Sequence, residues 1–180
     1  MELKKILFVV TSHGEMGNTS RKTGIWIEEF AAPYYTFLDA GTEIVIASPK
    51  GGQSPIDPKS NEPENQTPAT VRYYKDPDTI KRLSNTVKIS SVSEKDFDTV
   101  FYPGGHGPMW DLPDNQDSIH LIESFNRAGK VMTLMCHSPV RRELAAFRYA
   151  RWQVDHRPEP SVLGFSRDYG NRVVQTNEVI

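Results

Sequence analysis

The chain has 180 residues, 37% of them hydrophobic, and 21 Lys and Arg against 23 Asp and Glu give a formal charge of −2. That length supports one hydrophobic core and excludes two domains of ordinary size, so residues 1–180 are expected to form a single domain. The charge balance gives no electrostatic ground for nucleic acid or an anionic membrane as partner, and the apolar run Ile6 to Val10 is too short for a signal-peptide core or a membrane span.

The run "KKILFVVTS", Lys4 to Ser12, is β-branched and aromatic, ends in turn formers and reads as a fully buried strand. From Thr23 to Gly41, apolar residues recur at helical spacing (Ile27, Phe30, Ala31, Tyr34, Leu38) and Gly41 supplies a stop. "TEIVIASP", Thr42 to Pro49, completes a strand, helix, strand unit. Residues 51–95 are dense in Pro, Gly, Ser and Asn, with one short helical stretch near Asp78 to Ser84, and read as a polar excursion from the sheet. Strands follow at Phe97 to Gly105 and Lys130 to Cys136, separated by a helix over Asp117 to Ala128. Continuously apolar strands alternating with helices predict an α/β fold, an open, mostly parallel sheet with helices on both faces.

The single cysteine, Cys136, stands where the last of these strands gives way to a polar, helix-compatible run. One thiol makes no internal disulfide and no multi-thiolate metal site, which agrees with a reducing, cytoplasmic location. Ligands of parallel α/β sheets bind at the carboxyl ends of strands, and a helix starting at His137 to Pro139 would aim backbone N–H groups at the sulfur. Such a site would lower the thiol pKa. A lone Cys at a strand end is equally a small buried hydrophobe, so its surroundings carry the argument.

Three features supply them. "YPGGHGP", Tyr102 to Pro108, ends the neighbouring strand with glycines that let amides approach a ligand; Gly105 and the His137 amide are candidate oxyanion donors. On the first helix, if Phe30 faces the sheet, Glu28 turns to solvent and Glu29 flanks the core, so Glu29 is the candidate carboxyl near the thiol. Pro33 should kink that helix, and His137 is placed to act as acid or base. The loop "TSHGEMGNTSRKTG" has a flavin-phosphate look but fails the Walker pattern, and "GGHGPMW" lacks the third glycine of a dinucleotide fingerprint.

With these pieces assembled, the sequence resembles the ThiJ/PfpI superfamily, and within it the heat-shock glyoxalase III branch. The resemblance rests on "TSHGEMGNTSRKTGIWIEEFAAPYY", "IASPKGGQSPIDPKSNEP", "VFYPGGHGPMWDLPDN" and "CHSP", in family order. It implies a flavodoxin-like or class I glutamine-amidotransferase-like sandwich. Cys136 would be the nucleophile, His137 the histidine beside it and Glu29 the facing acid, with Gly104, Gly105 and His106 forming the oxyanion and substrate-binding loop. The implied chemistry is glutathione-independent conversion of methylglyoxal to D-lactate, with no metal or organic cofactor, by a homodimer protecting against reactive carbonyls. A holdase with a vestigial site, taking unfolded client proteins as partners, and a peptidase or amidotransferase using the same nucleophile elbow are the other readings.

The chain departs from the family pattern at four places. Ser138 stands where the family usually has Gly, which is tolerable if its backbone is not left-handed; Arg141 and Arg142 charge a helix that is usually small and apolar. Gly170 occupies the position of the carboxylate that orients the histidine, with Asp168 the nearest substitute. Relatives continue past the position of Ile180 with a helix, strands and a terminal helix, so the resemblance implies a fold lacking its last elements, with an exposed sheet edge and a marginally stable or self-associating product.

Overall fold

Each residue of the first strand, β1 (Lys5–Val9), from Ile6 onward is almost wholly buried, and neighbours along a strand point to opposite faces, so both sides of β1 must be covered. A computed structural model, which describes residues 4–138 and 173–174, shows how. On one face Ile6, Phe8 and Val10 pack with Phe30, Ala31 and Tyr34 of the first helix, α1 (Ile27–Asp39). On the other, Leu7 and Val9 pack with Leu121 and Phe125 of a later helix, α5 (Gln116–Arg127). The α1 face is aromatic: Phe8 meets Phe30, Tyr34 and Phe37 edge-on and stacks on Phe101 at 5.0 Å. Truncating Phe8 or Phe30 to Ala would cost about 3–5 kcal/mol.

The remaining strands among the described residues are β2 (Glu43–Ser48), β3 (Val87–Lys88), β4 (Thr99–Tyr102), β5 (Met132–Leu134) and β6 (Val173–Val174), in the order β3-β2-β1-β4-β5-β6. Every pairing in the sheet is parallel, as the apolar runs predicted. The chain steps outward from β1 to β2 and β3, then restarts on the other side of β1 with β4, which puts a topological switch point at the carboxyl ends of β1 and β4.

Three elements differ from expectation. The first helix begins at Ile27, not Thr23, because Ile25 lies extended and pairs in parallel with Ile56; its N–H donates to the Pro55 carbonyl and its carbonyl accepts from Asp57 N–H. A Cβ on Gly24 would stand 2.1 Å from the Pro55 oxygen, so that close approach requires glycine. The excursion over 51–95 contains two helices, α2 (Pro68–Tyr74) and α3 (Pro77–Ser84), and returns to the sheet as β3 beside β2. A two-residue strand flanked by Thr and Ile in a polar segment has too little pattern to betray itself. Pro33 lies inside α1, where a kink rather than a stop is expected. Among the described residues no helix is long and apolar enough to cross a membrane.

Candidate active site

At the carboxyl ends of β4 and β5, three pieces of chain meet. The loop after β4, Pro103 to Gly107, is bound to the extended stretch before α1: Trp26 N–H donates to Gly104 O at 3.2 Å and Gly107 N–H to Gly24 O at 3.0 Å. Gly105 has φ +101, and a Cβ there would lie 2.4 Å from Gly24 O and 2.5 Å from Trp26 N. The loop leads into a one-turn helix, α4 (Pro108–Asp111). The third piece is the turn after β5, and Cys136 at its start has φ +54. A left-handed backbone at a non-glycine residue costs about 1–3 kcal/mol and persists only where surrounding contacts impose it.

Those contacts include Ser138. Its Oγ donates to Pro103 O at 2.7 Å and Tyr102 O at 3.2 Å, and its N–H donates to Met135 O at 3.0 Å. The positive φ belongs to Cys136 and not to Ser138, so a side chain is accepted where glycine is usual, and its hydroxyl ties the turn to the neighbouring loop. The sharp strand-to-turn geometry lifts the thiol above the sheet, as in a nucleophile elbow.

Glu29, in the first turn of α1, faces this thiol. The Cys136 thiol and the Gly104 backbone lie beside its carboxyl and favour its ionised form. A Cβ on Gly104 would fall 2.3 Å from Glu29 Oε2 and 2.4 Å from Cys136 Cβ, so a side chain at that position is excluded by both groups at once. Oε2 itself is buried with no hydrogen-bond partner. Burial pushes the Glu29 carboxyl above the ordinary carboxylate range, against the opposing influence of Cys136 and Gly104. Glu28, expected in solvent, is instead half-buried, because Thr67 at the start of α2 donates its hydroxyl to Glu28 Oε2; burial raises its pKa as well.

The thiol departs from expectation in the same direction. Burial first, and the Glu29 carboxylate second, push Cys136 up, while the backbone N–H groups of Gly105 and His137 pull it down. A helix N-terminus alone would give the opposite result; partial burial and a neighbouring carboxyl both disfavour the thiolate. The two amides that reach the sulfur are the pair predicted as oxyanion donors. His137 Nδ1 lies 3.0 Å from Sγ. Partial burial, then His106, holds the His137 imidazole below the ordinary histidine range, so the ring is neutral near neutral pH.

His106, predicted in the substrate loop, stacks on His137 with centroids 4.9 Å apart and planes 27° apart. Asp168, Gly170, Arg141 and Arg142 lie outside the described residues. The sequence reading missed Asp57, which is buried beside His106, and Asp111, whose carboxyl accepts from Thr11 Oγ1 and Ser12 N–H at 2.6 Å each. The "IDP" of the excursion was a readable N-cap signal for Asp57, but nothing local linked it to His106. Among the described residues no group of three or more His, Cys, Asp or Glu could hold a metal ion.

Comparison with known proteins finds the DJ-1/PfpI family model matching residues 24–149. The glutathione-independent glyoxalase hsp3102 of Schizosaccharomyces pombe is 29% identical over 139 residues, covering 76% of this chain and 58% of that protein. Glyoxalase 3 of Candida albicans is 28% identical, covering 75% and 58%. Among solved structures, the Rapid Encystment Protein 24 kDa of Francisella tularensis superposes with a TM-score of 0.69 at 34% identity, covering 75% of this chain and 59% of that one. Glyoxalase III from Candida albicans does so with a TM-score of 0.67 at 27% identity, covering 76% and 58%. The chain thus spans under three fifths of the length of these relatives.

Proposed function

The chain belongs to the DJ-1/PfpI family, and from that premise we propose that it is a cysteine-dependent, glutathione-independent glyoxalase converting methylglyoxal to D-lactate. The observation that carries this reading is the convergence of the Cys136 thiol, the Glu29 carboxyl and the His137 imidazole at one strand end, with two backbone amides on the sulfur. Relatives named glyoxalases support it.

Neutral His137 accepts the thiol proton through Nδ1, 3.0 Å from Sγ. The sulfur attacks the aldehyde carbon: a C–S bond forms, the carbonyl π pair moves to oxygen, and the Gly105 and His137 N–H groups receive the developing charge. His137 returns its proton to that oxygen, and the hydrogen on the attacked carbon leaves as a proton to Glu29 to give an enediolate. Glu29 delivers it to the adjacent carbon while the hydroxyl proton passes from the first oxygen to the second; Oε2, buried and without a partner, is the oxygen free for this transfer. Collapse of the former aldehyde carbon gives a thioester, which water hydrolyses to lactate and free thiol. One carbon is oxidised and its neighbour reduced, so the redox change closes within the substrate. The same reading makes the protein a cytosolic homodimer.

The test is D-lactate production from methylglyoxal by the purified chain, with Cys136→Ala as control. Turnover that is lost in the control supports the assignment; equal turnover by both proteins sinks it. Suppression of client aggregation that survives Cys136→Ala, with no lactate from either protein, would favour the holdase reading instead.

A further inference from the structure

His106 takes no part in the steps from thiol to lactate, yet its ring is held from two sides. On one side is Asp57, a carboxylate 2% exposed. Its Oδ2 accepts from Thr23 Oγ1–H at 2.8 Å and its Oδ1 from Lys59 N–H at 3.0 Å, and Oδ2 lies 3.7 Å from His106 Nδ1. On the other side the face of the His106 ring lies against His137, whose Nδ1 reaches the thiol.

Both contacts follow from the way the chain is tied. Asp57 N–H donates to Ile25 O at 2.9 Å, and the glycine loop carrying His106 is bonded to Gly24 and Trp26, so one extended stretch fixes Asp57 and His106 together. His106 Nδ1 is buried and has no hydrogen-bond partner, and Asp57 Oδ2 is the acidic oxygen it faces. At 3.7 Å the pair is too long for a hydrogen bond, but the carboxylate's field favours the tautomer with the proton on Nδ1. A ring with its tautomer and plane set presents a fixed flat face.

We propose that Asp57 and His106 are positioning residues for His137: the carboxylate pins the His106 imidazole, whose face holds the His137 ring with Nδ1 on the Cys136 sulfur. This rests on Cys136 being the nucleophile. A carboxylate such as the one sought at Asp168 would orient His137 through its far ring nitrogen; the Asp57–His106 pair acts on the face of the ring, and the two devices are independent.

The thiol's own reactivity reads this without substrate. On the full chain near neutral pH, iodoacetamide should alkylate Cys136 about tenfold more slowly in His106→Ala, because a freely turning His137 takes the thiol proton less well. His106→Phe keeps a flat face and should recover at least about half of the native rate. Asp57→Asn keeps the shape but not the charge, and imidazole nitrogen NMR should show His106 leaving the Nδ1–H tautomer seen in the native chain. With methylglyoxal, His106→Ala should lower kcat and leave KM within about twofold. A His106→Ala thiol alkylated at the native rate or faster, a Phe variant no better than Ala, or an Nε2–H tautomer in the native chain would overturn the proposal. Slower alkylation in a chain that makes no D-lactate would uphold the positioning and remove the glyoxalase reading, so the two fail separately.

Discussion

Two half-buried carboxyls stand over the carboxyl end of the sheet, Glu29 on α1 and Asp111 at the end of α4, and burial raises the pKa of both. Asp111 is satisfied: Thr11 Oγ1 donates to one oxygen and Ser12 N–H to the other, and the group fastens α4 to the end of β1. Glu29 keeps one oxygen buried with no hydrogen bond, beside a thiol on a left-handed backbone. A similar environment therefore yields a fastener in one place and a candidate proton carrier in the other, and the distinguishing quantity is the unmade hydrogen bond, not the pKa direction.

Substitutions can break or sharpen that contrast. The largest effect is expected from Cys136→Ala, which should remove D-lactate formation by about 1,000-fold or more in kcat/KM. Gly104→Ala should be nearly as severe, since its methyl would collide with Glu29 Oε2 and Cys136 Cβ together; thiol alkylation and thermal melting should both change.

Glu29→Gln should lower kcat by about 100-fold while raising the melting temperature near neutral pH. The sign follows from linkage. A carboxyl whose folded pKa is raised contributes fully below its unfolded value near 4.5, and that contribution is lost as pH rises through the folded pKa. The Gln variant removes the loss, so its gain over the native chain should appear on the alkaline side and vanish in acid. A stability gain at acid pH, or none at any pH, would contradict this.

Asp111→Asn removes a carboxyl shifted in the same direction, so its linkage contribution has the same sign as in Glu29→Gln, and what sets it apart is a lost hydrogen bond. Asn retains one acceptor oxygen for two donors, so stability near neutral pH should fall by about 1–2 kcal/mol in denaturant titration, with kcat per folded molecule within about twofold. If Asp111→Asn cut kcat as deeply as Glu29→Gln, the division into fastener and proton carrier would collapse.

Much of this was legible because it is local. The run Ile6 to Val10 reads as a strand covered on both faces, and helical angles single out Glu29 over Glu28 as the carboxyl beside the thiol. What escaped depends on segments distant in sequence. Glu28 is drawn out of solvent by Thr67, and the helix start moves to Ile27 because Ile25 has a partner in Ile56. The direction of the thiol's shift was misread because a strand-end cysteine suggests a helix terminus, whereas an acid on α1 and partial burial decide the matter. Asp57 gave a cap signal, but its position beside His106 is set by the pairing of Ile25 with Ile56, which no local pattern encodes.

The extended stretch before α1 bears on the order in which the molecule comes together. Its bonds to Pro55 and Asp57 span about 30 residues, and its bonds to Gly104 and Gly107 span about 80, while the loop is in turn tied through Ser138 to the turn at Cys136. Contacts of such sequence separation form late, since each closes a long loop before it returns any stability. Assembling the crevice around the sulfur therefore requires loop closures comparable in length to that of the central β1–β4 pairing, which joins Ile6 to Thr99. In a refolding experiment the native alkylation rate of Cys136 should therefore return only once the contacts joining the stretch before α1, the glycine loop and the turn at Ser138 are all in place.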